Sequence, residues 1–133
     1  MICVYFYGMS KRKKTGLVIM AAFYVIAGAY HFIDPVFYKK IMPPWLPSHY
    51  FIIYFTGICE IVFGLLLIPQ QTRKPAAWCI IVLLVFVFPA NIQMMLNYWH
   101  QQNPYLWLAI LRLPIQLLLI LWAYMFAKNR KVE

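Results

Sequence analysis

Four long apolar runs limit what this chain can fold into. Each has about 18–23 residues, which is enough for a helix to cross a hydrocarbon core of roughly 30 Å, and none alternates as a barrel strand does. The chain is 65% hydrophobic and only 11% charged, so a soluble domain of this size could not cover its apolar surface. The sequence therefore predicts an all-α, four-helix transmembrane bundle with spans at residues 15–33, 50–68, 75–96 and 105–127.

The distribution of Lys and Arg predicts the orientation of the bundle. Nine of them lie in residues 11–14, 73–74 and 128–131, on one side of the spans, whereas Lys39 and Lys40 lie in a loop on the other side. Because cytoplasmic loops carry an excess of basic residues, we expect both termini to be cytoplasmic in the cell (inner) membrane. The basic residues that give the net charge of +9 lie mostly at the span ends, where they can contact lipid head groups, so we expect no nucleic-acid partner.

The chain divides into one membrane domain and two short terminal segments. Residues 1–14 form a basic cytoplasmic segment, in which residues 1–8 precede a natural start at Met9 and are expected to be an upstream extension. Residues 15–127 form a single four-span membrane domain. Residues 128–133 form a cytoplasmic tail.

The first outer loop is the longest loop and carries its own helix signal. Asp34 supplies an N-cap and Pro35 a first helical position, which predicts a short interfacial helix over Pro35–Ile41. The prolines within residues 43–47 then exclude regular helix. We expect that segment to lie across the outer mouth of the bundle, anchored by Trp45.

Five polar side chains inside the spans share the outer half of the bundle. At a rise of about 1.5 Å per residue from the outer span ends, they lie about 3 to 16 Å deep. They are His31, Glu60, Asn91, Arg112 and Gln116. Because the inner half is almost wholly apolar, these five residues predict a ligand pocket that opens toward the outer side.

Glu60 is the only acid inside a span, and Arg112 is the only basic residue at comparable depth. A lone charge in hydrocarbon costs about 2.5–3.5 kcal/mol on insertion scales, so we expect these two residues to form an ion pair. Gly57 and Gly64 share a helical face with Glu60 and should let another helix approach closely. Two interpretations stay open, a structural pair that fixes helix register or a site for a ligand, proton or partner.

Two prolines lie inside the predicted helices beside these polar residues. Pro89 and Pro114 each remove a backbone hydrogen bond, which frees the carbonyls of Val85 and Ile110. We expect structural kinks at both prolines, with Asn91 or a neighbouring helix bonding the freed carbonyls. Interhelical hydrogen bonding is then the simpler role for the span amides, ahead of ligand contacts.

The sequence contains no metal or redox motif. The histidines at 31, 49 and 100 lack mutual helical spacing, and the cysteines at 3, 59 and 79 form no C-x-x-C pair. We therefore expect no metal site and no thiol redox centre. The cysteines are interpreted as small packed hydrophobes.

Four short motifs in chain order resemble the DoxX-like family of small four-helix membrane proteins. They are H-F-x-x-P after the first span, G-x-x-E-x-x-x-G in the second, F-P-A-N in the third and R-x-P-x-Q in the fourth. The resemblance covers residues 16–124 and implies that the five span residues are the family's polar signature positions. It also implies a range of roles, since relatives include a subunit of an archaeal thiosulfate:quinone oxidoreductase, other proteins linked to membrane redox complexes, and assembly factors for neuronal acetylcholine receptors.

The sequence predicts a ligand-binding protein, or an accessory or assembly subunit of a membrane complex, rather than an autonomous enzyme. Its expected partners are the lipid bilayer and either another membrane protein or a second copy. The first alternative is a quinone-linked redox accessory subunit, in which quinone carbonyls accept hydrogen bonds from Arg112, Asn91 or His31. The second alternative is a small proton-coupled exporter that works as a dimer. The sequence does not specify the ligand.

Overall fold

The computed structural model describes residues 8–42 and 44–128, apart from the side chain of Ile41. Five helices follow one another, α1 (Lys11–Ile33), α2 (Pro35–Ile41), α3 (His49–Leu66), α4 (Gln70–His100) and α5 (Leu106–Ala127). No strand occurs within the described ranges. The predicted all-α class with four long apolar helices is confirmed. The predictions for residues 1–7, Pro43 and 129–133 lie outside the described residues.

The outer surface of the helices is strongly apolar. Large side chains point away from the helix contacts on α1, α4 and α5, including Ile26 (67% exposed), Phe86 (79%) and Leu118 (64%). A soluble monomer rarely exposes so much contiguous apolar surface. The four long helices have the length and hydropathy to cross a bilayer, which indicates a membrane protein.

The helices associate mainly as two consecutive pairs, α1 with α3 and α4 with α5, and α3 joins the pairs by contacting α4. A buried core near the basic ends of the helices holds the pairs together. This core contains Leu17, Met20, Ala21, Tyr24, Leu67, Ala76, Ala77, Ile80, Leu84, Ala123 and Ala127. Its many alanines let the helices approach closely at that end, because small side chains favour close packing of helices in membranes.

Glycines bring the backbones of α1 and α3 together. A Cβ on Gly28 would lie 2.5 Å from the carbonyl oxygen of Gly57, and a Cβ on Gly64 would lie 3.1 Å from the carbonyl oxygen of Ala21. These distances leave no room for a side chain. The close approach expected at Gly57 and Gly64 is therefore present, and the approaching helix is α1.

Side chains at the start of α4 bond the carbonyls at the end of α3. Thr72 Oγ1 donates to the Leu66 carbonyl at 2.7 Å, while Arg73 donates from Nε to Leu67 at 3.0 Å and from Nη2 to Ile68 at 2.8 Å. The last carbonyls of a helix have no intrahelical partner, so these bonds stabilise its end. Helix α4 begins at Gln70, five residues before the predicted span. The prediction counted only apolar residues, whereas the polar residues 70–74 are helical too and include the donors of these bonds.

The short helix α2 has the predicted bounds. Asp34 Oδ1 accepts a hydrogen bond from the backbone N–H of Phe37 at 3.1 Å, and Pro35 occupies the first turn. This is the N-cap arrangement that the Asp-Pro pair predicts. Helix α2 packs against α1, α3 and α4, which places Tyr38 beside the polar residues of the bundle.

Candidate functional site

A cavity of about 270 Å³ lies between the helices. The structure brings all five predicted polar residues to its wall, His31 from α1, Glu60 from α3, Asn91 from α4, and Arg112 and Gln116 from α5. The remaining wall is mostly aliphatic and aromatic, with Tyr24, Tyr38 and Thr56 as further polar groups. An apolar cavity with a few convergent polar groups is the common form of a small-molecule site.

Glu60 pairs with His31. The distance from Glu60 Oε2 to His31 Nε2 is 3.4 Å, and both side chains are largely buried. The predicted ion pair between Glu60 and Arg112 is wrong, since within the described ranges no basic group other than His31 lies at ion-pair distance from Glu60. The reason is the contact of Gly28 with Gly57, which packs α1 against the face of α3 that carries Glu60.

The backbone fixes the tautomer of His31. Its Nδ1 lies 3.0 Å from the carbonyl oxygen of Ile53, and because a carbonyl only accepts, Nδ1 carries a hydrogen. The hydroxyl of Thr56 lies 3.2 Å from the same nitrogen and donates to the Ile52 carbonyl at 2.9 Å. The ring nitrogen Nε2 therefore faces Glu60 with either a lone pair or a second proton. The contact is favourable when one of the two atoms, Nε2 or Oε2, carries a proton, and the pair then has no net charge.

Tyr38 of α2 stacks on the His31 ring. The two ring centroids are 3.9 Å apart with an angle of 27° between the planes. Burial raises the pKa of Tyr38, and the negative charge of Glu60 raises it further. The Tyr38 hydroxyl therefore stays protonated and neutral above the pair.

Two buried polar atoms on the cavity wall lack a hydrogen-bond partner among the described residues, Tyr24 Oη and Glu60 Oε2. The contact of Oε2 with His31 has ion-pair distance without hydrogen-bond geometry. Tyr24 is only 1% exposed. Buried polar groups in proteins are nearly always bonded to protein, water or ligand, so these two atoms mark a place for an additional molecule.

Asn91 and Gln116 bond each other across α4 and α5. Asn91 Nδ2 donates to Gln116 Oε1 at 2.6 Å, and Gln116 Nε2 donates to the carbonyl of Leu84 at 2.6 Å. This carbonyl is not the Val85 carbonyl that Pro89 frees, for which the expected partner stays a prediction. Leu84 is buried, whereas Val85 is 57% exposed.

Arg112 lines the cavity without a carboxylate partner. Its Nη1 lies 3.3 Å from the sulfur of Met94, and none of the described acids is at ion-pair distance. Arg112 and Ile115 also line a second cavity of about 410 Å³ between α2, α4 and α5. Arg112 therefore stands between the two cavities.

The remaining predictions concern the two helix prolines and the metal site. Pro89 and Pro114 lie inside continuous helices α4 and α5, beside the cavity residues Asn91 and Gln116. In the described part of the chain, no group of three His, Cys, Asp or Glu residues could hold a metal ion. Sequence reasoning missed Tyr24, for which the only signal is its spacing of seven residues from His31, which places both on one helical face.

Comparisons with known proteins give one match. No curated protein and no solved structure matches the chain. The match is to a family model described as a domain of unknown function (DUF8561), over residues 20–127. That range contains all five predicted polar residues and Tyr24, whereas the DoxX-like resemblance stays a prediction. Since the match covers most of its length, the chain belongs to the family described as a domain of unknown function (DUF8561).

Proposed function

We propose that this protein binds a small ligand in the cavity between its helices, as a ligand-binding or accessory subunit in a membrane. The observation that carries the proposal is the pair of buried polar atoms, Tyr24 Oη and Glu60 Oε2, which lack partners on the wall of a cavity formed by all four long helices. An unsatisfied buried polar group costs about 1–3 kcal/mol. A ligand that bonds these atoms removes that cost and gains binding free energy.

The proposal includes an orientation. With the basic residues 11–14 and 73–74 on the cytoplasmic side, the cavity lies in the outer half of the membrane. Helix α2 then lies at the outer interface, where Phe37 and Tyr38 meet the head-group region beside Lys39. Both termini are cytoplasmic in this arrangement, and the membrane is the cell (inner) membrane.

Mass spectrometry of purified protein tests the proposal. The full chain is purified in mild detergent, and bound small molecules are identified in organic extracts and by native mass spectrometry. We expect a molecule at a fixed ratio to protein, whose occupancy falls at least about threefold in Tyr24→Phe, which removes a hydroxyl, and in Glu60→Gln, which replaces a charged acceptor by a weaker neutral one. The matched control is Tyr124→Phe, which removes the hydroxyl of an exposed tyrosine.

The controls decide the outcome. Retention in Tyr124→Phe together with loss in Tyr24→Phe supports a site in the cavity. Equal retention in all variants contradicts it, as does a wild-type protein that carries no molecule and shows no thermal stabilisation by any extract of its native membrane.

A quinone-linked accessory role is the second candidate. Within the cavity, His31 Nδ1 and one hydrogen of Asn91 Nδ2 already donate to protein oxygens, whereas the Arg112 guanidinium has several N–H groups and can donate to a quinone carbonyl. The same extracts test this role. A quinone that co-purifies with wild type and is lost in Arg112→Ala supports it, and extracts without quinone exclude it.

A further inference from the structure

Arg112 needs a negative charge that no acid among the described residues supplies. The sequence contains only three acids, Asp34, Glu60 and Glu133. The carboxylate of Asp34 caps helix α2, and that of Glu60 faces His31. Glu133 lies outside the described residues.

Arg112 lies within the membrane-spanning length of α5, and it is an exposed residue rather than part of the packed core. Arg112 is six residues into α5, which corresponds to a depth of about 9 Å below the start of that helix. Its Nη1 contacts the sulfur of Met94, which is only 4% exposed. A thioether is a weak acceptor and carries no charge, so the cost of a charge in hydrocarbon remains.

The second cavity extends from Arg112 as an apolar space. Its wall includes Phe37, Tyr98, Leu108 and Leu111, and among the described residues Arg112 is the only charged one that lines it. Because Arg112 and Ile115 line both cavities, a molecule in the second cavity can contact the guanidinium. The arrangement suits a hydrocarbon chain that ends in an acidic group.

We propose that Arg112 binds the carboxylate of a single-chain fatty acid whose hydrocarbon chain occupies the second cavity. The planar guanidinium matches a carboxylate with two parallel hydrogen bonds, which a neutral or cationic head group does not provide. This inference goes beyond the proposed function, because it assigns a separate site in the second cavity with a ligand class of its own.

A single-chain acid fits this position better than a phospholipid does. The carboxylate is the only polar part of a fatty acid, so only that group must leave water to reach Arg112. A phospholipid would carry its phosphodiester and glycerol esters to the same depth, and each polar group left without a partner there costs free energy.

Equilibrium binding of radiolabelled oleate to the full chain in nanodiscs of phosphatidylcholine tests the proposal. We expect saturable binding that weakens about tenfold or more in Arg112→Gln, since hydrogen bonds to a charged group are lost. Arg112→Lys should recover part of the affinity, because it restores the charge without the planar fork. Lys40→Gln, which removes an exposed charge on α2, is the matched control and should bind as wild type does.

A second variant leaves the charge in place. Leu108→Trp fills the second cavity and should prevent oleate binding although Arg112 is retained. Circular dichroism and size-exclusion chromatography establish that each variant is folded. Methyl oleate should not compete with oleate, because it lacks the negative charge.

Three results would overturn the inference. These are equal competition by methyl oleate, unchanged oleate binding in folded Arg112→Gln, and displacement of oleate by phosphatidylglycerol at lower concentration than by oleate itself. The proposed function fails separately, since it depends on Tyr24 and Glu60 in the first cavity. A neutral molecule lost in Tyr24→Phe, with no oleate binding, would keep that function and reject the fatty acid.

Discussion

Replacing Gly28 with alanine is the most direct test of how the polar pair is held together. A Cβ at this position would lie 2.5 Å from the carbonyl oxygen of Gly57, 2.7 Å from Cγ1 of Ile61 and 3.0 Å from the Ile61 backbone nitrogen. Two of these three atoms belong to the backbone of α3, so no side-chain rotation relieves the clash. The helices α1 and α3 must move apart.

The structure also offers a matched control on the same helix. A Cβ on Gly16 would meet only the indole ring of Trp122, at 3.7 Å, which is ordinary contact. Both substitutions gain about 1 kcal/mol of helix propensity, but only Gly28→Ala is overpacked, at a cost of about 1–3 kcal/mol. We therefore expect Gly28→Ala to be about 1–3 kcal/mol less stable than Gly16→Ala.

Titration with a denaturing detergent, followed by far-ultraviolet circular dichroism, gives both free energies of unfolding. The displacement in Gly28→Ala should also lengthen the 3.4 Å contact between His31 and Glu60, since His31 lies one turn from Gly28. Equal stability of Gly28→Ala and Gly16→Ala would refute the close approach of the two backbones. It would also refute the explanation that this approach brings His31 to Glu60.

Three further changes test individual contacts. His31→Leu should lower the free energy of unfolding by about 3–5 kcal/mol, because it leaves the buried Glu60 carboxylate without a partner. In a double-mutant cycle, adding Glu60→Leu should restore more than half of that loss, and additive losses would contradict the pair. Gln116→Leu should lower the free energy of unfolding by about 0.6–2 kcal/mol more than Gln93→Leu does, because the Gln93 amide bonds Asn97 within α4 whereas Gln116 bonds across helices. Equal unfolding curves would argue against the interhelical bonds. Arg73→Gln should lower the thermal midpoint, since about 1–3 kcal/mol is lost when the carbonyls at the end of α3 lose their donors, and an unchanged midpoint would exclude that role.

The depth and composition of the cavity wall could be predicted from local spacing. Span length and the rise of a helix depend on sequence position alone, so five polar residues at similar depth could be expected to lie together. The structure places all five on one cavity. The Asp34–Pro35 signal for helix α2 is equally local, which is why its bounds could be predicted as well.

The partners of those residues could not be predicted in the same way, because they depend on which helices face each other. Charge alone suggested Arg112 for Glu60, but Gly28 brings α1 against α3 and supplies His31 instead. Tyr24 could not be singled out by its spacing from His31 alone, because a tyrosine in an apolar run is common in a membrane helix. Arg73 was counted only as an orientation charge, since a sequence does not show that its side chain folds back onto the end of α3.

The division into two helix pairs has a consequence for biogenesis. The pairs are consecutive hairpins in the chain, so each can form in the bilayer as soon as its second helix has been synthesised. The first hairpin inserts with a compensated pair, since His31 and Glu60 both belong to it. The second hairpin inserts with Arg112 and no acid of its own among the described residues. The free-energy cost of insertion is therefore uneven, because the later hairpin is the one that lacks a counter-charge among the described residues.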